Sequence, residues 1–125
     1  MKFLIDTHLL LWWLTDSEQL SQTARDIIQA TEPTIFISAA SVWEMRIKQA
    51  IGKLKLPKNF AEVLEEQPFE RLSITVDHTH KVSELPMHHK DPFDRLLIAQ
   101  ATLDDLTILS HDKIFEQYKV RCQIF

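Results

Sequence analysis

Four acidic residues occupy comparable points of the chain, where a short apolar run gives way to a helical pattern. They are Asp6, Glu44, Asp94 and Asp112. In a parallel α/β sheet such junctions share one edge, so acids that are distant in sequence meet there. Carboxylate oxygens without cysteine favour Mg²⁺ or Mn²⁺ over zinc. We therefore predict that all four acids converge on a divalent metal.

Carboxylates that hold Mg²⁺ or Mn²⁺ are suited to the hydrolysis of a phosphodiester bond. The metal lowers the pKa of a bound water, orients it and stabilises the leaving oxygen, so no nucleophilic side chain is required. Lys48 follows Glu44 by four positions and Arg95 follows Asp94 directly. Basic residues placed in this way are predicted to hold substrate phosphates, which position a strand without reading its sequence.

Each acid also has a local role that needs no metal. Asp6 and Asp112 are candidate helix N-caps, and Glu44 fits the last position of a capping box. Asp94 can reach back in the same way to Asp91, which is a good N-cap. Four carboxylates at one edge nevertheless repel one another, and a cation relieves that repulsion. We therefore interpret Asp91 as a cap with an accessory role and Asp94 as a metal ligand.

The histidines and tryptophans carry weaker signals. His88 and His89 resemble a metal-binding pair, but adjacent side chains on a helix or strand rarely point the same way. His78 and His80 are predicted to lie at the surface. Trp43 is predicted to belong to the core or an interface, with base stacking as the alternative.

The acids need a scaffold, and the hydrophobic pattern predicts one in which strands alternate with helices. The predicted strands span 2–6, 34–38, 71–76, 106–110 and 120–125. The predicted helices span 7–14, 21–31, 41–48, 59–67, 77–85, 91–103 and 112–118. This alternation favours a mostly parallel sheet of four to five strands with helices on both faces. The predicted fold class is therefore a three-layer α/β/α domain.

Composition indicates one folded domain over residues 1–125. Hydrophobic residues make up 45% and charged residues 26% of the chain, values that argue against disorder and against a coiled-coil rod. The formal net charge of −4 has the wrong sign for a uniformly basic nucleic-acid surface, so such contacts must be local. A single glycine, Gly52, excludes a glycine-rich phosphate loop, and a lone Cys122 excludes an internal disulfide.

The apolar run at 9–14 is the only strongly apolar segment near the start of the chain. It is too short to span a membrane, and it lacks the basic start of a signal peptide. We therefore expect a cytoplasmic protein that does not enter a membrane.

Four sequence blocks carry a family resemblance that runs nearly end to end. They read FLIDTH at 3–8, SAASVWE at 38–44 with GKL at 52–54, HKDPFDRLLIAQA at 89–101, and LSHD at 109–112. The third block is long and specific, whereas the first is weak by itself. Through these blocks the chain resembles the PIN-domain ribonucleases, and particularly the VapC-like toxins of bacterial toxin-antitoxin pairs.

The resemblance implies a PIN-like domain that cleaves RNA internally with Mg²⁺ or Mn²⁺. It also implies a homodimer held inactive by a cognate antitoxin, whose tail enters the acidic site. By motif position the family's acids fall on the same four residues, Asp6, Glu44, Asp94 and Asp112, with Asp91 as an accessory. Ser110 stands where the fourth block often has Thr, which keeps a hydroxyl group.

Two other interpretations stay open at this point. A non-catalytic binding or dimerisation module would use the acids only as caps, so Asn at position 6 or 94 would change stability by about 1 kcal/mol. A phosphatase with Asp6 as nucleophile is disfavoured because position 8 is His rather than a second Asp. Asp104 and Asp105 follow a helix and precede a strand, which predicts that they lie at the opposite edge, outside the site.

Overall fold

All five predicted strands form, and the computed structural model describes every residue from Met1 to Phe125. The strands are β1 (Lys2–Ile5), β2 (Thr34–Ser38), β3 (Glu70–Leu72), β4 (Thr107–Ser110) and β5 (Cys122–Ile124). They make one sheet in the order β3-β2-β1-β4-β5, and each neighbouring pair is parallel. The predicted parallel α/β architecture is confirmed.

Six α-helices and one 3-10 helix connect the strands. They are α1 (Thr7–Leu14), α2 (Gln22–Gln29), α3 (Ala39–Ala50), α4 (Phe60–Glu66), α5 (Val76–Glu84), α6 (Pro92–Asp104) and the 3-10 helix Lys113–Gln117. None of these helices combines the length and the apolar character that crossing a membrane requires.

Side chains of the central strand β1 alternate between two hydrophobic cores. Phe3 and Ile5 pack with Leu9 of α1 in one core, and Leu4 packs with Leu97 of α6 in the other. Burying an aliphatic side chain of this size contributes about 1.5–3 kcal/mol. Helices therefore cover both faces of the sheet, as predicted. The strands β1 and β4 are neighbours near the centre of the sheet, so their carboxyl ends lie side by side.

The edge strand β3 is shorter than its alternating pattern predicts. Thr75, not Asp77, is the N-cap of α5: its hydroxyl oxygen accepts the N–H of His78 at 3.1 Å. The ring Nδ1 of His78 in turn accepts the N–H of Thr75 at 3.0 Å. These reciprocal bonds use backbone groups that a longer strand would have needed, so the strand ends at Leu72.

Helix α3 begins two residues earlier than predicted, directly after β2. Ser38 is its N-cap, with the hydroxyl oxygen accepting the N–H of Ala40 at 3.0 Å. The capping box that would end at Glu44 is therefore wrong, since Glu44 lies in the second turn. The predicted helix after Asp112 forms only as a 3-10 helix, which Asp112 caps by accepting the N–H of Ile114 at 3.0 Å.

Candidate metal centre

Asp6 lies at the carboxyl end of β1 and is almost wholly buried, with 3% of its surface exposed. Its Oδ1 accepts the N–H of Leu9 at 2.8 Å, which caps α1, and its Oδ2 accepts the hydroxyl of Ser110. Burial raises the pKa of Asp6 from 3.8 to about 6; the two hydrogen bonds oppose this shift and the nearby charge of Asp94 adds to it. The site therefore carries a desolvated carboxylate that a cation would stabilise.

Ser110 joins two of the predicted acids. Besides donating to Asp6, its buried hydroxyl oxygen accepts the backbone N–H of Asp112 at 2.9 Å. The side chain of Asp112 is exposed, and it lines an open cleft of about 710 Å³ together with Asp6, Trp12 and His111. Asp112 thus approaches the buried acid from the solvent side.

Glu44 is buried in the second turn of α3, with 5% of its surface exposed. One carboxylate oxygen, Oε2, forms an ion pair with Nζ of Lys48 at 3.0 Å. The other, Oε1, is buried and has no hydrogen-bond partner. Leaving a buried acceptor unsatisfied costs about 1–3 kcal/mol, and more for a charged group. This oxygen fits a metal ligand, because a bound cation would supply the missing partner.

Asp94 lies in the first turn of α6, where the positive end of the helix dipole favours a negative charge. Its backbone N–H donates to Oδ1 of Asp91 at 2.9 Å, so the predicted cap at Asp91 is confirmed. Its own Oδ2 lies 2.8 Å from Nε2 of His89. Burial raises the pKa of Asp94; the hydrogen bond with His89 lowers it, and the charges of Asp91 and Glu44 raise it.

Electrostatic effects link three of the four predicted acids: the charge of Asp94 acts on Asp6, and the charge of Glu44 acts on Asp94. Asp112 is linked to Asp6 by its backbone N–H, which donates to Ser110, while its carboxylate caps the 3-10 helix. The oxygen-rich donor set fits Mg²⁺ or Mn²⁺. Three residues at the start of α6 form a tighter group: one ligand atom each of His89, Asp91 and Asp94 lies within 4.8 Å of the others. The sequence disfavoured His89 as a ligand because adjacent side chains on a helix or strand rarely point the same way, but His88 and His89 lie in the loop before α6.

Arg95 is buried and bonded to the protein's own groups, which argues against its predicted role in holding phosphate. The residue is 7% exposed, and its guanidinium donates to the hydroxyl of Tyr118 and to four backbone carbonyls in the segment 82–89, at 2.9–3.4 Å. All of its hydrogen bonds are therefore internal to the protein. Asp91, four residues before it in the sequence, is not among its partners.

His78 is buried, with 3% of its surface exposed, so its predicted surface position is wrong. Its Nε2 lies 2.8 Å from Oδ2 of Asp104, and this contact joins α5 to the end of α6. Asp104 is ten residues beyond Asp94 on α6, a rise of roughly 15 Å along the helix axis. Asp104 therefore pairs with His78 at the opposite end of α6 from Asp94.

The PIN domain family model matches residues 3–120. The chain belongs to the PIN domain family. The match covers all four sequence blocks through which the resemblance was recognised, and the predicted family is confirmed. No curated protein matches this PIN domain at a significant level.

Solved structures share the fold of this PIN domain over nearly its whole length. VapBC2 of Rickettsia felis, bound to a DNA fragment from its promoter, gives a TM-score of 0.77 at 14% identity, covering 100% of this chain and 99% of that chain. DNA-bound VapBC of Salmonella typhimurium gives 0.70 at 15%, covering 99% and 98%. FitAcB of Neisseria gonorrhoeae gives 0.68 at 19%, covering 96% and 95%. At these identities the likeness establishes the fold alone.

Proposed function

We propose that this PIN domain is a metal-dependent endoribonuclease. Its metal ligands are Asp6, Glu44 and Asp94, and Asp112 binds or orients a second ion or the attacking water. The main observation in support is that Oε1 of Glu44 is buried without a hydrogen-bond partner. In addition, burial disfavours the ionised forms of Asp6 and Asp94 and so raises the pKa of both. PIN-domain toxins of the VapC type are typically nucleases, which supports the assignment.

The side chains around the acids hold them in place for this role. The N–H of Leu9 and the hydroxyl of Ser110 fix both oxygens of Asp6, and Lys48 fixes one oxygen of Glu44. When bound, Mg²⁺ or Mn²⁺ would lower the pKa of a water and stabilise the leaving oxygen of the phosphodiester. Asp112, exposed in the adjoining cleft, is placed to orient that water or a second ion.

RNA cleavage in Mg²⁺ or Mn²⁺ tests the proposal. Asp6→Asn and Asp94→Asn should each lower the rate at least about 100-fold, since even outer-shell partners of a metal are worth 10- to 100-fold. The matched control is Asp26→Asn on α2, an exposed acid whose side chain contacts only Gln22. Full activity in both site variants would contradict the proposal and favour the non-catalytic binding module.

We further infer that the protein is the toxin of a toxin-antitoxin pair, a homodimer whose antitoxin inserts its tail into the acidic site. Among the proteins of the same fold is a toxin-antitoxin complex from Klebsiella pneumoniae, with a TM-score of 0.62 at 20% identity, covering 88% of this chain and 86% of that chain. Light scattering of the purified protein tests the dimer. Copurification with the product of a neighbouring gene, and loss of RNA cleavage in that complex, test the antitoxin.

A further inference from the structure

We propose that His89 is a positioning residue of the metal centre, which holds the carboxylate of Asp94 in the orientation that binds the cation. This inference rests on the proposed function. Nε2 of His89 lies 2.8 Å from Oδ2 of Asp94. An ionised carboxylate only accepts hydrogen bonds, so Nε2 carries the proton and donates. The bond occupies one oxygen of Asp94 and leaves the other for the metal.

The loop that carries His89 is held by two buried side chains. The backbone N–H of His89 donates to Oη of Tyr118 at 2.9 Å, and its carbonyl accepts from Arg95 at 3.3 Å. The carbonyl of Pro86, at the start of the same loop, accepts from Tyr118 at 3.0 Å and from Arg95 at 2.9 Å. Both backbone polar groups of His89 are therefore hydrogen-bonded, and these bonds hold the residue where its imidazole contacts Asp94.

Asp94 needs such a partner because its other charged neighbours are acids. Asp91 and Glu44 both act on it as like charges, and it acts in the same way on Asp6. His89 is the one side chain that donates a hydrogen bond to its carboxylate. Outer-shell donors of this kind orient a ligating carboxylate before the metal arrives.

Direct ligation by His89 is the competing role, since its ligand atom and those of Asp91 and Asp94 lie within 4.8 Å of one another. Ligation would require Nε2 to lose its proton and to leave Asp94. Mg²⁺ and Mn²⁺ prefer oxygen ligands to imidazole. Oδ1 of Asp91 is already used to cap α6. The geometry therefore favours positioning over ligation.

Two substitutions test the positioning role. His89→Ala removes the donor, whereas His89→Gln places an amide N–H near the position of the imidazole Nε2. His80→Ala is the matched control, an exposed histidine on α5. Mn²⁺ affinity is measured by calorimetry on the metal-free proteins, and RNA cleavage is measured across a range of Mn²⁺ concentrations. Thermal melts report whether each variant is folded.

We expect His89→Ala to weaken Mn²⁺ binding about 10- to 100-fold and to raise the Mn²⁺ concentration for half-maximal cleavage by the same factor. KM for RNA at saturating Mn²⁺ should not change. His89→Gln should recover most of the affinity, and His80→Ala should match the wild type.

Unchanged Mn²⁺ affinity in His89→Ala would overturn the positioning role, as would a His89→Gln variant as weak as His89→Ala. If the wild type binds Mn²⁺ with the expected dependence on His89 but cleaves no RNA, the positioning role stands and the proposed function fails. A wild type that binds no Mn²⁺ overturns both.

Discussion

Individual carboxylates in this PIN domain lie where folded proteins rarely place a charge. Asp6 and Glu44 are both less than one-tenth exposed, and Glu44 has an oxygen without a partner. Local rules for a stable fold are commonly broken at functional sites, where the cost is offset elsewhere in the structure.

Metal binding should stabilise the folded protein through Glu44. At a concentration 100 times its Kd, a cation that binds only the folded state adds about 2.7 kcal/mol. Thermal melts in excess Mn²⁺ and in chelator should therefore differ for the wild type and differ much less for Glu44→Gln. Asp26→Asn should respond as the wild type does. An equal response in Glu44→Gln would show that its free oxygen does not bind the metal.

The stability of the metal-free protein should fall as pH rises through the range in which Asp6 ionises. Its pKa is about 6 when folded and 3.8 ordinarily, so the folded state holds the proton more tightly. Between about pH 4 and pH 7 this difference removes about 3 kcal/mol of unfolding free energy. Urea titrations in chelator should show the wild type losing stability relative to Asp6→Asn over that range. A difference that does not change with pH would contradict this prediction.

At the level of elements, the first turn of α6 serves both the site and the fold. Asp94 is close enough to Asp91 and Glu44 to feel their charges, whereas the next residue, Arg95, binds the carboxyl end of α5. There its guanidinium donates to the carbonyl of Leu85, which has no backbone donor, and to the carbonyl of Val82, which also accepts the N–H of Leu85. One helix start thus presents a candidate ligand and also anchors the preceding loop.

Arg95→Met should destabilise the protein by about 2–4 kcal/mol, because it removes a buried guanidinium and leaves the partly buried carbonyls of Leu85 and His89 without a donor. The free energy of unfolding is measured by urea denaturation. The matched control is Arg71→Met, since Arg71 is exposed and has one 3.4 Å contact with Glu65. That surface pair contributes at most about 1 kcal/mol. Equal losses in the two variants would refute the anchoring role of Arg95.

For the whole molecule, strand order determines where the acids meet. The chain runs from β1 outwards through β2 to β3, then crosses back to place β4 and β5 on the other side of β1. The order therefore reverses between β1 and β4, and crevices for ligands form at such points. Asp6 follows β1 and Asp112 follows β4, so the candidate centre lies at this crevice.

Induced expression should produce new RNA ends in the cell if the whole protein acts as proposed. Sequencing of RNA ends after induction should show recurrent cleavage sites for the wild type and none for Asp6→Asn, because that variant lacks a proposed metal ligand. Coexpression of the neighbouring gene product should suppress the cleavage. Identical RNA ends in the wild type and in Asp6→Asn would contradict a toxin that acts through this centre.

The fold class, the strand-to-helix junctions and several caps of this PIN domain could be predicted from local sequence patterns. Those features depend on residues within about four positions of one another, as with the cap that Asp91 provides for α6. Gly52, which follows the C-cap residue of α3, adopts a positive φ of 77°, a conformation that glycine takes readily at the end of a helix. The four acids are recognisable as candidate ligands for the same reason, since the junction between a strand and a helix is a local pattern.

The partner of each side chain could not be predicted in this way, because it depends on how distant segments pack. His78 meets Asp104 across 26 positions, and Ser110 meets Asp6 across 104. Arg95 binds the end of α5 because the packing of α5 against α6 places the carbonyls of Val82 and Leu85 beside its guanidinium. Such contacts depend on how distant segments pack, which no local spacing encodes. The free oxygen of Glu44 and the contact of His89 with Asp94 are consequences of that packing.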